Sequence, residues 1–283
     1  MSWIQNRKFV NYFCLIAAPL MWSTVGPYVK FTKLDSLQIA FFRSVICFLF
    51  FLILIRPRHI KFHPLMVSMG VSFSLMNISF IAAIKYTTAA NASILQYLAP
   101  LWVAIGAVYF LKEKIKRNDI LSLAVGMLGA FYILYHTDAK SFTGVGLAVL
   151  AGVCYASVIL HFRALKDYSI LFMNFLNLGF ATLTLIPVYL TGVIAYPAQD
   201  EIVLLVFFSL IQFAIPYLLI GVAIRAFSPV KVGVFTLMEP VLTAFLTWVV
   251  VSEVPSQATI IGGSLILVGL FLNQLNRFKS VSL

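Results

Sequence analysis

Two ionisable residues stand in stretches that are otherwise apolar. Arg43 lies within AFFRSVICFLFFLIL and Glu239 within GVFTLMEPVLTAFLTWVVV. A charged side chain at membrane depth costs about 2.5–3.5 kcal/mol on insertion scales, so such residues turn toward a cavity or a partner. Arg43 offers a planar fork that suits a carboxylate or a phosphate, and Glu239 is a candidate for taking up and releasing a proton. The plainer alternative is an ion pair, or a packing role, that ties the two segments together. Glu239 is followed by Pro240, whose missing N–H frees a backbone carbonyl one turn earlier. Pro100 occupies the matching place in another apolar stretch, and Gln96 and Thr236 each stand four residues before their proline. Pro100 and Pro240 are therefore read as paired hinges, with a tolerated kink as the plainer reading.

The remaining polar groups at mid-stretch are Asn77, Asn174, Asn177 and Gln212. Amides between membrane helices commonly serve as glue, but their depth also makes them pocket candidates. Among the aromatics, Trp22 lies beside Ser23 and Thr24, and Tyr97 adjoins Gln96. With Tyr155 and Tyr217 they are candidates for the wall of an amphipathic pocket. Trp102 belongs to the same set, and His161 is read as a solvated helix end. The residues expected to bind a substrate are thus Trp22, Arg43, Asn77, Gln96, Tyr97, Tyr155, Asn177, Gln212, Tyr217 and Glu239.

The elements that must position these groups follow from composition. The chain has 283 residues, 62% apolar and 10% charged, against about 25% charged in a soluble domain. Such a surplus belongs in a bilayer. Ten stretches approach the twenty apolar residues that a spanning helix needs: about 9–29, 36–55, 65–84, 89–111, 118–136, 143–162, 169–191, 201–224, 229–251 and 257–276. Helix is expected throughout, because lipid demands a backbone satisfied within itself. The net charge of +11 resides in short loops, where membrane topology places it, so no nucleic-acid partner is expected. With the N-terminus cytoplasmic, fifteen of the 20 Lys and Arg fall on the inner side and four (Lys30, Lys33, Lys85, Lys140) on the outer, leaving Arg43 within the membrane. That bias predicts cytoplasmic termini at both ends.

The chain also repeats itself. Residues 83–129 align without a gap on residues 223–269 at a spacing of 140, with Ala83 on Ala223, Pro100 on Pro240, Glu113 on Glu253 and Gly129 on Gly269. Five predicted helices separate the copies, so the second is inverted in the membrane. The inner KEKIKR at 112–117 has SEVPSQ at 252–257 as its outer counterpart, without a cation. The expected fold is all-α: ten transmembrane helices in two inverted five-helix repeats, residues 1–137 and 138–283. Duplicated hydrophobic segments of this kind mark secondary transporters.

The run Ala83…Tyr86-Thr87…Ala89…Asn91-Ala92…Leu95…Pro100…Glu113 resembles the signature of the drug/metabolite transporter superfamily, EamA type. Glu239-Pro240-Val241…Ala244…Glu253 is similar to its second-copy form, and Ala40-Phe41-Phe42-Arg43 to the arginine-bearing second helix. The resemblance implies a carrier with a central cavity and alternating access, in a bacterial-type inner membrane. It does not name a substrate, since members of the family move amino acids, nucleotide derivatives, sugars, drugs and other metabolites; those family grounds and the aromatic and arginine inventory together make a small polar or amphipathic metabolite, an amino acid or derivative first, the expected cargo. A coupling proton at Glu239, or another ion, is left open, as is the choice between monomer and homodimer.

Absences narrow the alternatives. No G-x-x-x-x-G-K-[ST], H-E-x-x-H or G-x-S-x-G occurs, so neither ATP hydrolysis nor those hydrolytic centres are expected. Cys14, Cys47 and Cys154 have no paired spacing, and no metal or cofactor is expected. An intramembrane enzyme using Glu239, Arg43 or His161, or a membrane scaffold without transport, remains as the alternative.

Overall fold

The structure is a computed structural model that describes residues 2–99, 102–103, 105–106, 117–136, 141–227 and 235–281. Pro100, one of the two expected hinges, lies outside the described residues, as do Glu113 and Lys140. All the regular structure among the described residues is helical. The helices are α1 (Ser2–Trp22), α2 (Val25–Phe31), α3 (Ser36–Leu54), α4 (Leu65–Tyr86), α5 (Ala89–Gln96), α6 (Arg117–Tyr135), α7 (Phe142–Ala164) and α8 (Ile170–Leu190). They continue with α9 (Gln199–Phe208), α10 (Ile215–Ala226), α11 (Met238–Val251) and α12 (Gln257–Val281).

Among the described residues six segments are long and apolar enough to cross a bilayer: Lys8–Phe31, Ser36–Leu54, Leu65–Tyr86, Phe142–Ala164, Ile170–Leu190 and Gln199–Ala223. Three shorter apolar helices lie within Ala124–Tyr135, Met238–Val251 and Gln257–Gly269. Burial is distributed as a lipid environment requires. Ile53 is 83% exposed and Leu190 76%, while Arg43 is 2% and Asn77 1%. Large apolar side chains thus face outward and polar ones inward, the reverse of a water-soluble surface.

Packing places the polar residues at the centre. α4 lies against α7 and α8, α3 against α8, α1 against α10, and α5 between α7 and α11. α6 and α12 form an antiparallel pair, which α12 ties to α5 through the Thr259 hydroxyl donating to Asn91 at 2.7 Å. Within the pair Gly129 and Gly262 face each other, and the place of a Cβ on each is filled by the other's carbonyl oxygen. Only glycine allows two helix backbones so near. Local signals set the helix starts. Asp35 accepts from the Gln38 N–H at 2.8 Å while Gln38 accepts from the Asp35 N–H at 2.8 Å, a capping box that opens α3. Thr88 caps α5 through the Asn91 N–H at 3.0 Å.

Candidate functional site

Four interruptions of helix share one cause. A proline cannot donate to the carbonyl four residues before it, and its ring crowds that carbonyl. Pro27 follows Ser23 by four, and the first span breaks at Ser23–Thr24, between α1 and α2. Pro216 follows Gln212 by four, and the segment Ser209–Ala214 between α9 and α10 widens into a π-type turn. Pro240 follows Thr236 by four, and a turn at Leu237 precedes α11. α5 ends at Gln96, the residue four before Pro100, and Tyr97 and Leu98 continue as a turn. The helices expected at 9–29 and 201–224 are therefore each irregular, the first broken at Ser23–Thr24 and the second widened at Ser209–Ala214. The first break is held by side chains: the Ser23 and Thr24 hydroxyls donate to the Leu20 and Met21 carbonyls, both at 2.7 Å. Such irregular backbone is tolerated at membrane depth where it lines a cavity.

All four interruptions border one cavity of about 50 Å³. It is lined by Trp22, Arg43, Asn77, Gln96, Tyr97, Tyr155, Gln212, Tyr217 and Glu239, together with Met76, Phe80 and Phe213. Every substrate-binding candidate except Asn177 is thus brought to one place. Asn177 is fully buried on α8, outside the lining, and neither of its amide atoms has a hydrogen-bond partner. His161 is also elsewhere. Its Nε2 meets the Ser68 hydroxyl at 2.7 Å and its Nδ1 the Ser157 carbonyl at 2.7 Å, joining α7 to α4. Met76 and Phe80 were missed although they stand one residue before and three after Asn77, on the same helical face. Phe213 was missed beside Gln212. The signal that marks both Trp22 and Gln212–Phe213 is the proline a turn further on, at 27 and 216.

The cavity has two charged poles. At the first, the Arg43 guanidinium donates to the Asn77 side-chain carbonyl and, at 3.4 Å, to that of Gln212. Its carbon lies 4.2 Å from the centre of the Phe213 ring, a cation–π contact. Asn77 is itself oriented, since its amide donates to the Ser44 hydroxyl at 3.0 Å and to the Ala40 carbonyl at 3.4 Å. The Gln212 amide donates to the Trp22 carbonyl at 3.5 Å, at the broken end of α1. Arg43 Nε is buried and has no hydrogen-bond partner. At the second pole the Tyr97 hydroxyl donates to Glu239 at 2.7 Å. Arg43 and Glu239 form no ion pair within 4.0 Å, so a static salt bridge between the two deep charges is not what this structure holds. Between the poles stand aromatic walls, with Trp22 and Tyr217 edge to face at 5.5 Å and Phe213 and Tyr217 at 5.1 Å.

Apolar helices packed around a polar, aromatic-walled hollow define a multi-pass membrane protein. The profile of the EamA-like transporter family matches residues 10–135 and again residues 142–275, and the chain belongs to that family. It is similar to an uncharacterized transporter of Archaeoglobus fulgidus, 24% identical over 273 residues that cover 96% of this chain and 98% of that one. It is similar to the Pseudopaline exporter CntI of Pseudomonas aeruginosa, 29% identical over 269 residues, 89% of this chain and 92% of that one. A solved crystal structure with 17% identity matches at a TM-score of 0.66 over 96% of this chain and 98% of that one, a likeness of fold.

Proposed function

We propose that this transporter is a secondary carrier of a small polar or amphipathic metabolite, an amino acid or derivative first, working by alternating access in a bacterial-type inner membrane. The observation that carries the reading is the gathering of Arg43 and Glu239, unpaired, around one hollow in a member of a transporter family. The cargo occupies that cavity against Trp22, Tyr155 and Tyr217, with Gln96, Gln212 and Asn77 supplying hydrogen bonds. Pro240 and Pro100 flex the two spans they interrupt, and Glu239 is the candidate site of proton coupling.

Ten spans in two inverted halves, 1–137 and 138–283, are part of the same proposal. Six long segments and three shorter apolar helices among the described residues, with the stretch that begins with α5, support that count. The twofold match of the family profile supports the division. One half rocks on the other about the central cavity, and both termini are cytoplasmic. The Pseudomonas relative, named an exporter, favours outward movement as the first direction to test.

Counterflow in proteoliposomes is the test. A carrier exchanges labelled for unlabelled cargo without added energy. Conversion of the solute to a product would replace this reading with an enzyme, and binding without exchange would replace it with a scaffold. Tags on the two termini are expected on one face of the membrane.

A further inference from the structure

Arg43 is 2% exposed, lies in the middle of a spanning segment and lines the cavity. Its two hydrogen-bond partners, Asn77 and Gln212, are neutral amides, and the face of Phe213 covers its carbon. Among the described residues no carboxylate lies within ion-pair distance of it. A guanidinium withdrawn from water without an anion is a costly arrangement. Among the described residues the same cavity holds one carboxylate, Glu239, but Tyr97 occupies it and the two charges stay apart. The chain therefore builds a cationic pole and an anionic pole and does not join them. A solute with only one charge would balance one pole and leave the other. A solute with an acid at one end and an amine at the other balances both.

Resting on the carrier reading above, we infer that the cargo is bound in one orientation, its anionic group on Arg43 and its ammonium group toward Glu239. Arg43 is the specificity-determining residue for the acid end. Asn77 and Gln212 are positioning residues: they take two guanidinium donors and leave Nε and the remaining N–H groups for the cargo. Carboxylate and phosphate both fit a guanidinium fork. The aromatic residues between the poles, Trp22, Tyr155 and Tyr217, accept an apolar body.

The test uses the intact protein in proteoliposomes loaded with a mixed pool: amino acids, their carboxamides, the matching acids without an amine, phosphate esters of small amino alcohols, and simple amines. Mass spectrometry reads which members exchange. The expected set carries both an acid and an amine and disfavours the matched carboxamide by about tenfold or more, since a site built for a polar group rejects the analogue that lacks it. Exchange of amino acids against exchange of amino-alcohol phosphates tells carboxylate from phosphate. Arg43→Gln is expected to erase the acid-over-carboxamide preference. Arg43→Lys retains it in weakened form, which separates loss of recognition from loss of folding. Asn77→Ala is expected to raise KM for the acid more than it lowers the maximal exchange rate. Exchange of carboxamides and acids alike by the unaltered protein overturns the inference and leaves the carrier standing. So does an unchanged preference in Arg43→Gln. Exchange of no solute at all removes the carrier reading, and this inference with it.

Discussion

Glu239 opens α11 and Glu253 follows its last turn, yet the two carboxylates keep different company. Glu253 is met by the chain's own donors: Lys30 Nζ at 2.8 Å and the Ala89 N–H, the first of α5, at 2.7 Å. Lys30 also donates to the Thr87 carbonyl at 2.6 Å. Beside it Glu201 accepts from the Thr32 hydroxyl at 2.6 Å and the Lys33 N–H at 3.0 Å, and Lys85 donates to the Thr32 carbonyl at 3.0 Å. That end of the bundle, the outer rim in the proposed orientation, is tied together by groups from α2, α4, α5, α9 and the end of α11. In the cavity, Glu239 has one tyrosine and Arg43 two amides. Charges that satisfy each other hold a conformation, and charges left apart are available to a visitor.

The sharpest way to break this contrast is at the centre. Glu239→Gln keeps the shape and removes the charge. Losing one member of a buried, hydrogen-bonded charged set costs about 2–5 kcal/mol of binding. Exchange of amine-bearing cargo should fall accordingly, and the response of transport to pH should disappear. A variant that keeps its full pH response shows that Glu239 does not carry the proton. Next in size is Pro27→Ala. It restores an N–H within reach of the Ser23 carbonyl and returns up to about 3 kcal/mol of helix continuity. The melting temperature should rise while exchange slows, because the Trp22 carbonyl leaves Gln212.

At the rim, Glu253→Gln removes a half-buried ion pair and a carboxylate at a helix N-terminus, together about 1–2 kcal/mol. With Cys14, Cys47 and Cys154 replaced by serine, a Gln96→Cys probe should react several-fold faster with a membrane-impermeant thiol reagent added from outside. No change in that rate would mean that the rim does not control access. The smallest effect is expected at Ser252, which ends α11 at φ 57°. Glycine is at ease there, so Ser252→Gly should raise stability by about 0.4–1 kcal/mol and leave cargo selection alone.

Much of the cavity was legible before any coordinates, and the reason is thermodynamic. Arg43, Asn77, Gln96, Gln212 and Glu239 are costly in lipid, so finding them in apolar stretches nearly locates the hollow. Pro240 could be read because Glu239 stood next to it. Pro27 and Pro216 went unread because their neighbours are uncharged, although they act on the helix in the same way. Asn177 misled for a different reason. Depth along a span can be counted, but it does not say whether a polar side chain of α8 faces the cavity or a neighbouring helix. The rim was the least legible. Its lysines were read only as topology signals, and their partners Glu253, Thr87, Glu201 and Thr32 come from distant parts of the chain.

The glycine contact of α6 with α12 bears on how such a molecule moves. Gly129 belongs to the first half of the chain and Gly262 to the second, and no side chain separates their backbones. A seam that close has no slack for sliding or parting. In the rocking motion proposed above it would be the pivot, with the greatest travel on the parts farthest from it. A bulkier residue at either glycine would therefore trouble the swing before it troubled the grip on the cargo.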